Sequence, residues 1–279
     1  MLRDDDAVIL FDRRNEAELL AQSIGYEIMG CATTSSPIGN AAVMVALLRP
    51  RTGDARTRPA RPALLDGLGR SSFVKLLDRF YIPAVGDPVI SALLFQLIAE
   101  RYEELTATDV NRRTAEILLR AALKNPLDDG PRKVLDFGCG TGCAVDALKA
   151  LGREGQDVEL LGTDLSEEML SIAKGRGEVV APLKEWRAMP TGGFVAAISC
   201  FVLHYGVPEE DLASIARQLK PGGIFSANLF KGSEAKLAQL TSTLSSEGLD
   251  LISNEQMITT PDSYNRHLLF KKRDGCLAS

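Results

Sequence analysis

The apolar positions of this chain change period several times, and the changes mark out its elements. Residues 7–11, Ala7-Val8-Ile9-Leu10-Phe11, are a continuous apolar run that predicts a strand. Over 16–24, Ala17, Leu20 and Ile24 share one side of a helix; 25–30 reads as a second strand and 40–48 as a second helix. Segments 71–81 and 89–120 carry helical spacing, with Pro83 and Pro88 marking a break between them. From Val134 onward strands and helices alternate. An apolar run enters a glycine cluster, then Ala144, Val145, Leu148 and Leu151 line one face of a helix stopped by Gly152. Strand 158–163, helix 167–174 and strand 194–198 follow, then helix 211–220 with its stripe of Leu212, Ile215 and Leu219. Strand 224–230, a helix near 233–247 and strands 249–254 and 264–271 complete the pattern.

Candidate chemistry concentrates in Val134-Leu135-Asp136-Phe137-Gly138-Cys139-Gly140-Thr141-Gly142. A buried strand runs into a tight turn whose glycines allow close backbone approach to a ligand. The glycines read G-x-G-x-G, not the G-x-G-x-x-G of a dinucleotide turn, and no Lys-Ser/Thr follows as in a Walker loop. Asp136, two residues before Gly138, would repel a phosphate but accept hydrogen bonds from an ammonium group. The ligand therefore has an amino-acid end. Asp164 ends the next strand, 24 residues beyond Gly140, near the spacing at which an acid holds ribose hydroxyls. Ser166 reads as the cap of the following helix, with Glu167 and Glu168 complementing its dipole.

On these residues the chain resembles the class I S-adenosylmethionine (SAM)-dependent methyltransferases, small-molecule type. V-L-D-F-G-C-G-T-G is similar to their first motif, and the likeness extends over about 100–275. Glu185-Trp186-Arg187-Ala188-Met189-Pro190 stands where the family has D-A-x-x-L-P; the resemblance implies that Glu185 and Trp186 embrace the adenine. Trp186 also reads as core packing. Phe194-Val195 replaces a frequent F-D, and Ser199-Cys200-Phe201-Val202-Leu203-His204-Tyr205 resembles S-x-x-x-L-H-H at the end of the fourth strand. The resemblance implies cofactor contacts from Asp136, Gly138, Cys139, Gly140, Gly142, Asp164, Leu165 and Ser199, and a base or a structural histidine at His204. Ala99-Glu100-Arg101-Tyr102-Glu103 resembles A-x-x-Y-D, which makes Tyr102 a lid over the pocket or an ordinary buried helix residue. The implied fold is α/β: a Rossmann-like seven-stranded, mostly parallel sheet with helices on both faces and the last strand antiparallel, plus an N-terminal, mainly helical extension. The expected division is 1–62 as that extension with an Arg/Pro-rich linker at 49–62, 63–125 as a helical cap, and 126–279 as the SAM-binding core.

Composition narrows the acceptor. Net charge is −5, from 32 basic and 37 acidic residues, so no nucleic-acid partner is expected. The five arginines of 49–62 are interleaved with Pro, Gly, Asp and Thr and read as a solvated linker. No N-P-P-Y-type segment follows the fourth strand, where Ser199-Cys200-Phe201-Val202 stands instead. No metal is implied: Cys139 and Cys143 have C-x3-C spacing, but on a glycine loop they read as small-residue packing. Five cysteines without framework spacing suit a reducing cytoplasm, Asp4-Asp5-Asp6 is unlike a signal peptide, and the apolar run 41–48 is too short to span a bilayer. The expectation is a cytoplasmic enzyme of specialised metabolism that methylates O or N of a small molecule. A homodimer through the N-terminal region is also expected. A SAM-binding cyclase without methyl transfer and a non-catalytic scaffold that binds SAM or S-adenosylhomocysteine (SAH) are the alternatives.

Overall fold

The computed structural model describes residues 7–11, 14–23, 25–35, 42–50, 73–76, 80–83, 88–106, 108–124, 132–230, 232–257 and 265–274. The chain forms two compact units, Met1–Leu97 and Ile98–Ser279. The sequence-based division at 62 and 125 differs from this one, and the linker segment 51–62 lies outside the described residues.

The first unit is built on a five-stranded sheet. Its elements are β1 (Ala7–Phe11), α1 (Arg14–Ser23), β2 (Tyr26–Ser35), β3 (Ala42–Pro50), β4 (Phe73–Leu76) and β5 (Phe80–Pro83), with strand order β2-β3-β1-β5-β4. β1 runs antiparallel to β3 and parallel to β5. Ala17, Leu20 and Ala21 of α1 bury against Ile9, Phe11, Ala46 and Leu48 of the sheet. This corrects the mainly helical extension. Where a helix over 40–48 was expected, the described residues from Ala42 onward are a strand, because the apolar run carries β-branched Val43 and Val45 and has partners on both sides, β1 and β2. Within 71–81 the described residues are strands: β4 pairs antiparallel with β5, Leu76 opposite Phe80. The helical spacing of Val74, Leu77 and Tyr81 was coincidental to an aromatic and β-branched composition that suits strands.

α2 (Pro88–Ile98) reaches the division between the units. The expected single helix over 89–120 is broken beyond it into a 3-10 turn (Ala99–Arg101), α3 (Tyr102–Leu105) and α4 (Thr108–Leu123). Two threonines make the break. Thr106 Oγ1 donates to the Tyr102 carbonyl at 2.8 Å and Thr108 Oγ1 to the Glu103 carbonyl at 3.0 Å, satisfying carbonyls that a continuing helix would have used.

The second unit continues with β6 (Arg132–Phe137), α5 (Cys143–Ala150), β7 (Val158–Thr163), α6 (Glu167–Gly175), β8 (Val179–Val180), α7 (Leu183–Arg187) and β9 (Phe194–Ser199). α8 (Glu209–Gln218), β10 (Leu219–Phe230), α9 (Glu234–Ser246), β11 (Leu249–Gln256) and β12 (Asn265–Lys272) follow. The seven strands lie in the order β11-β12-β10-β9-β6-β7-β8. β6 to β10 pair in parallel, and β12 is antiparallel to β10. Alternation within β6 divides the core. Val134 packs with Leu118 and Leu119 of α4 and Ala147 of α5, while Leu135 and Phe137 pack with Trp186, Leu212 and Ile215 on the other face. All six residues of β9 are buried, as a parallel strand covered on both sides requires. Successive strands leave β6 in opposite directions, to β7 on one side and β9 on the other, and a crevice for a ligand opens at the carboxyl end of such a switch point.

Candidate functional site

The glycine loop fills that crevice. Gly138 and Cys139 donate backbone N–H bonds to the Thr163 carbonyl at 2.8 and 3.1 Å, fastening the loop to the end of β7. Gly138 has φ +76°, and a Cβ there would lie 2.2 Å from Val202 Cγ2. Only glycine lets the loop pass under the turn that follows β9. Asp164 faces the loop: Oδ2 accepts from Gly140 N at 3.0 Å and Oδ1 from Ser166 N at 3.0 Å. Burial pushes the Asp164 carboxyl above its ordinary range, while the N–H bonds from Ser166, Gly140 and Leu165 pull it back. Ser166 Oγ caps α6 by accepting from Met169 N at 3.2 Å. The acid on β7 is thus fixed at the rim of the loop, with Leu165 beside it.

Beneath the loop lies a crowded acidic core. Asp136 is 2% exposed, and burial, with Asp164 nearby, pushes its carboxyl up to about 7. Glu178 carries no sequence signal beyond a single acid before a short strand, yet it is 4% exposed, and neither carboxylate oxygen has a hydrogen-bond partner. It fits because Gly162, opposite Asp136, lacks a side chain; a Cβ there would lie 2.6 Å from Glu178 Oε1. Burial first, then Asp136, pushes Glu178 up to about 10.

Tyr102, Asp136, Gly138, Cys139 and Gly140 border one cleft, which α3 narrows to about 30 Å³. That is far below the roughly 300 Å³ at which small-molecule pockets begin. Burial, and Tyr205, Cys143, Cys200 and Asp164 around it, raise the Tyr102 phenol far above its ordinary value. α3 is tied down by Glu103, which accepts from Thr141 Oγ1 at 3.2 Å and pairs with Arg176; Arg176 also reaches Asp146 at 3.2 Å. Sequence reasoning missed this tie because its members come from four separate segments: α3, the glycine loop, α5 and the end of α6.

The other expected site residues lie elsewhere. Trp186 is fully buried, its ring 5.3 Å from that of Phe137, and Glu185 is exposed on α7; neither borders the cleft. Gly142 begins α5, and Ser199 is fully buried at the end of β9. His204 sits in a 3-10 turn (Leu203–Tyr205) beyond β9, its ring 4.0 Å from that of Tyr205 and 5.7 Å from that of Phe230. The other histidine, His267, is hydrogen-bonded to Ser226 at 2.8 Å, in the sheet.

Residues 134–223 match the family model described as a methyltransferase domain. A ubiquinone biosynthesis O-methyltransferase of Bordetella avium is 31% identical over 101 residues, a match covering 33% of this chain and 40% of the relative's length. The structure of a 1,6-didemethyltoxoflavin N1-methyltransferase of Burkholderia thailandensis, with that compound and SAH bound, is similar at a TM-score of 0.50. It is 20% identical, over 77% of this chain and 100% of that one. A TehB-like SAM-dependent methyltransferase of Corynebacterium glutamicum is 21% identical, over 65% of this chain and 99% of that one, at a TM-score of 0.49. Fold and matched segment agree: residues 134–223, which match a methyltransferase domain, lie in an α/β unit whose fold is similar to that of a SAM-dependent methyltransferase.

Proposed function

We propose that this protein transfers the methyl group of SAM to an oxygen or nitrogen atom of a small molecule, in cytoplasmic specialised metabolism. The observation that carries the reading is Asp164, fixed against Gly140 at the carboxyl end of the strands, above Asp136 and the glycine loop. Asp164 holds the ribose hydroxyls, the loop amides and Asp136 hold the methionine end, and Tyr102 closes over them. The likeness to an O-methyltransferase and an N1-methyltransferase named for small compounds supports the acceptor class.

SAM supplies an electrophilic methyl group, so the chain must chiefly align the acceptor and exclude water. The phenol of Tyr102 lines the cleft and helps exclude water; burial holds the neighbouring Tyr205 up at about 12, so it stays protonated. His204, at the end of β9, removes a proton where the acceptor begins as a phenol, alcohol or ammonium. The first unit forms a homodimer contact in this reading.

Calorimetric titration with SAM and SAH tests the pocket. Asp164→Ala should weaken binding on the order of 10- to 100-fold, since a charged hydrogen-bond acceptor is lost. Unchanged affinity would remove Asp164 from the site. An acceptor screen by mass then separates the alternatives, because methyl transfer adds CH2, cyclisation adds nothing, and a scaffold turns nothing over. In His204→Ala, turnover should fall with SAM affinity intact; an unchanged pH–rate profile would return His204 to packing.

A further inference from the structure

β2 ends the five-stranded sheet of the first unit. It pairs with β3 along one side over its whole length, Tyr26 opposite Pro50 and Ser35 opposite Ala42. Among the described residues no strand pairs with its other side, and every residue from Met29 to Thr34 is exposed, Met29 at 46%. An open edge presents a row of backbone donors and acceptors to any further strand, and folded proteins blunt such edges with short strands, lysine or proline. β4, at the opposite end of the sheet, is blunted in that way: it has four residues, and one of them is Lys75. β2 has ten, and from Ile28 to Ser35 it carries neither a charge nor a proline. Its one irregularity, at Met29, leaves Gly30 to Ser35 in regular register.

That irregularity also builds a surface. The extra residue turns Ile28 and Cys31, three positions apart, to the same face, opposite Leu48 and Ala46, which lie buried with α1. α1 leaves them uncovered. Ile28 is half-buried and Cys31 exposed, and both line a groove of about 260 Å³ between α1 and β2, floored by Phe11 and Ala21. An apolar groove thus runs beside an open edge.

A second copy of this chain fits both features. Antiparallel pairing of β2 with its counterpart, about a two-fold axis normal to the sheet, closes both edges at once and joins the two sheets into one. Such an axis preserves the face, so α1 of the second copy stands on the same side and the two grooves meet over the seam. The charges agree. Glu27 is the only charged residue of the strand, and antiparallel pairing sets it against the uncharged end of the second copy's strand, away from the other Glu27. A lone foreign strand would cover the edge and bring no helix to the groove.

We infer that the open edge of β2 is the interface of a homodimer, formed by antiparallel pairing with β2 of a second copy. The inference rests on the homodimer contact proposed above and adds its surface and geometry.

Light scattering after size exclusion reads the mass of the full chain, which should be twice that of one chain. Ala32 lies at the middle of the regular segment. Ala32→Lys and Ala32→Glu each set like charges across the seam and should each run at the mass of one chain, with the far-UV circular dichroism of the unaltered protein. An equal mixture of the two should recover the dimer, because opposite charges then meet. Hydrogen exchange reads the same edge without a substitution: the outward amides of 30–35 should exchange on the order of tenfold more slowly in the dimer than in the diluted chain. Dimeric single variants, or a dimer whose 30–35 amides exchange as fast as in the diluted chain, overturn the β2 interface and leave the homodimer to another surface. Folded variants that recover no dimer on mixing overturn the two-fold pairing. An unaltered chain that keeps the mass of one chain removes the homodimer contact and this interface with it, leaving the edge to a strand of another protein.

Discussion

Asp136, Asp164 and Glu178 crowd three carboxyl groups around the ends of β6 and β7, and their surroundings differ enough to separate their behaviour. Asp164 has backbone donors; Asp136 is pushed up by burial and then by Asp164, and Glu178 by burial and then by Asp136. An ammonium group placed beside Asp136 favours its ionised form, so ligand binding must release a proton where the free protein holds one. With a free-protein value of about 7, SAM should bind about tenfold more tightly at pH 8 than at pH 6. Calorimetry in buffers of different ionisation heat checks this, and Asp136→Asn should flatten the profile. Glu178 bears on stability instead. Its folded value, about 10, lies above the ordinary 4.5, so its contribution is full below about 4.5 and is lost as pH rises toward 10. The melting temperature of the ligand-free protein should fall between pH 5 and pH 9, and fall less in Glu178→Gln. Equal slopes would show that Glu178 is ionised in the fold. Asp136 and Asp164 were legible because each ends an apolar run near glycines; Glu178 was not, since its burial depends on Gly162 of a neighbouring strand.

At the scale of elements, the glycine loop and α3 share control of the cleft. Gly138→Ala combines a disfavoured φ with a Cβ driven into Val202, so it should abolish SAM binding and lower stability by about 1–3 kcal/mol, measured by calorimetry and urea unfolding. The tie from Glu103 to Arg176 and Thr141 holds α3 over a cleft too narrow for a nucleoside. Glu103→Gln weakens an ion pair without changing shape, and SAM association in stopped flow should accelerate several-fold. An unchanged rate would mean that α3 does not gate entry. The central strands of the second unit, β6, β7, β9 and β10, were readable because each carries an apolar run; the two-residue β8 and the short α7 were not read. β3 and the β4–β5 pair were not, because an apolar run of eight residues satisfies both periods and only its neighbours choose between them.

For the whole molecule, the division at Leu97 and Ile98 determines where the chain can be cut. Removing residues 1–62 would take β1 and leave β5 without its parallel partner, exposing a fragment of sheet. Removing 1–97 cuts at the boundary instead. The remainder should unfold in one transition and bind SAM within about threefold of the full chain, while a change in mass by light scattering would assign the dimer contact to the first unit. Loss of SAM binding in a folded remainder would show that the first unit completes the site. Among the described residues no helix is long and apolar enough to cross a membrane.

The sequence by itself determined most of the second unit from Val134 onward, β8 and α7 apart: its principal strands and helices, the glycine loop, the two acids beside it and the cap at Ser166. These are local signals, each carried by residues adjacent along the chain. Tertiary structure alone decided the rest. It made strands of 42–50 and 73–76, buried Trp186 in the core away from the cleft, and hid Glu178 beneath the loop. Each depends on residues brought close from far along the chain, whose packing and hydrogen bonds outweigh local preference.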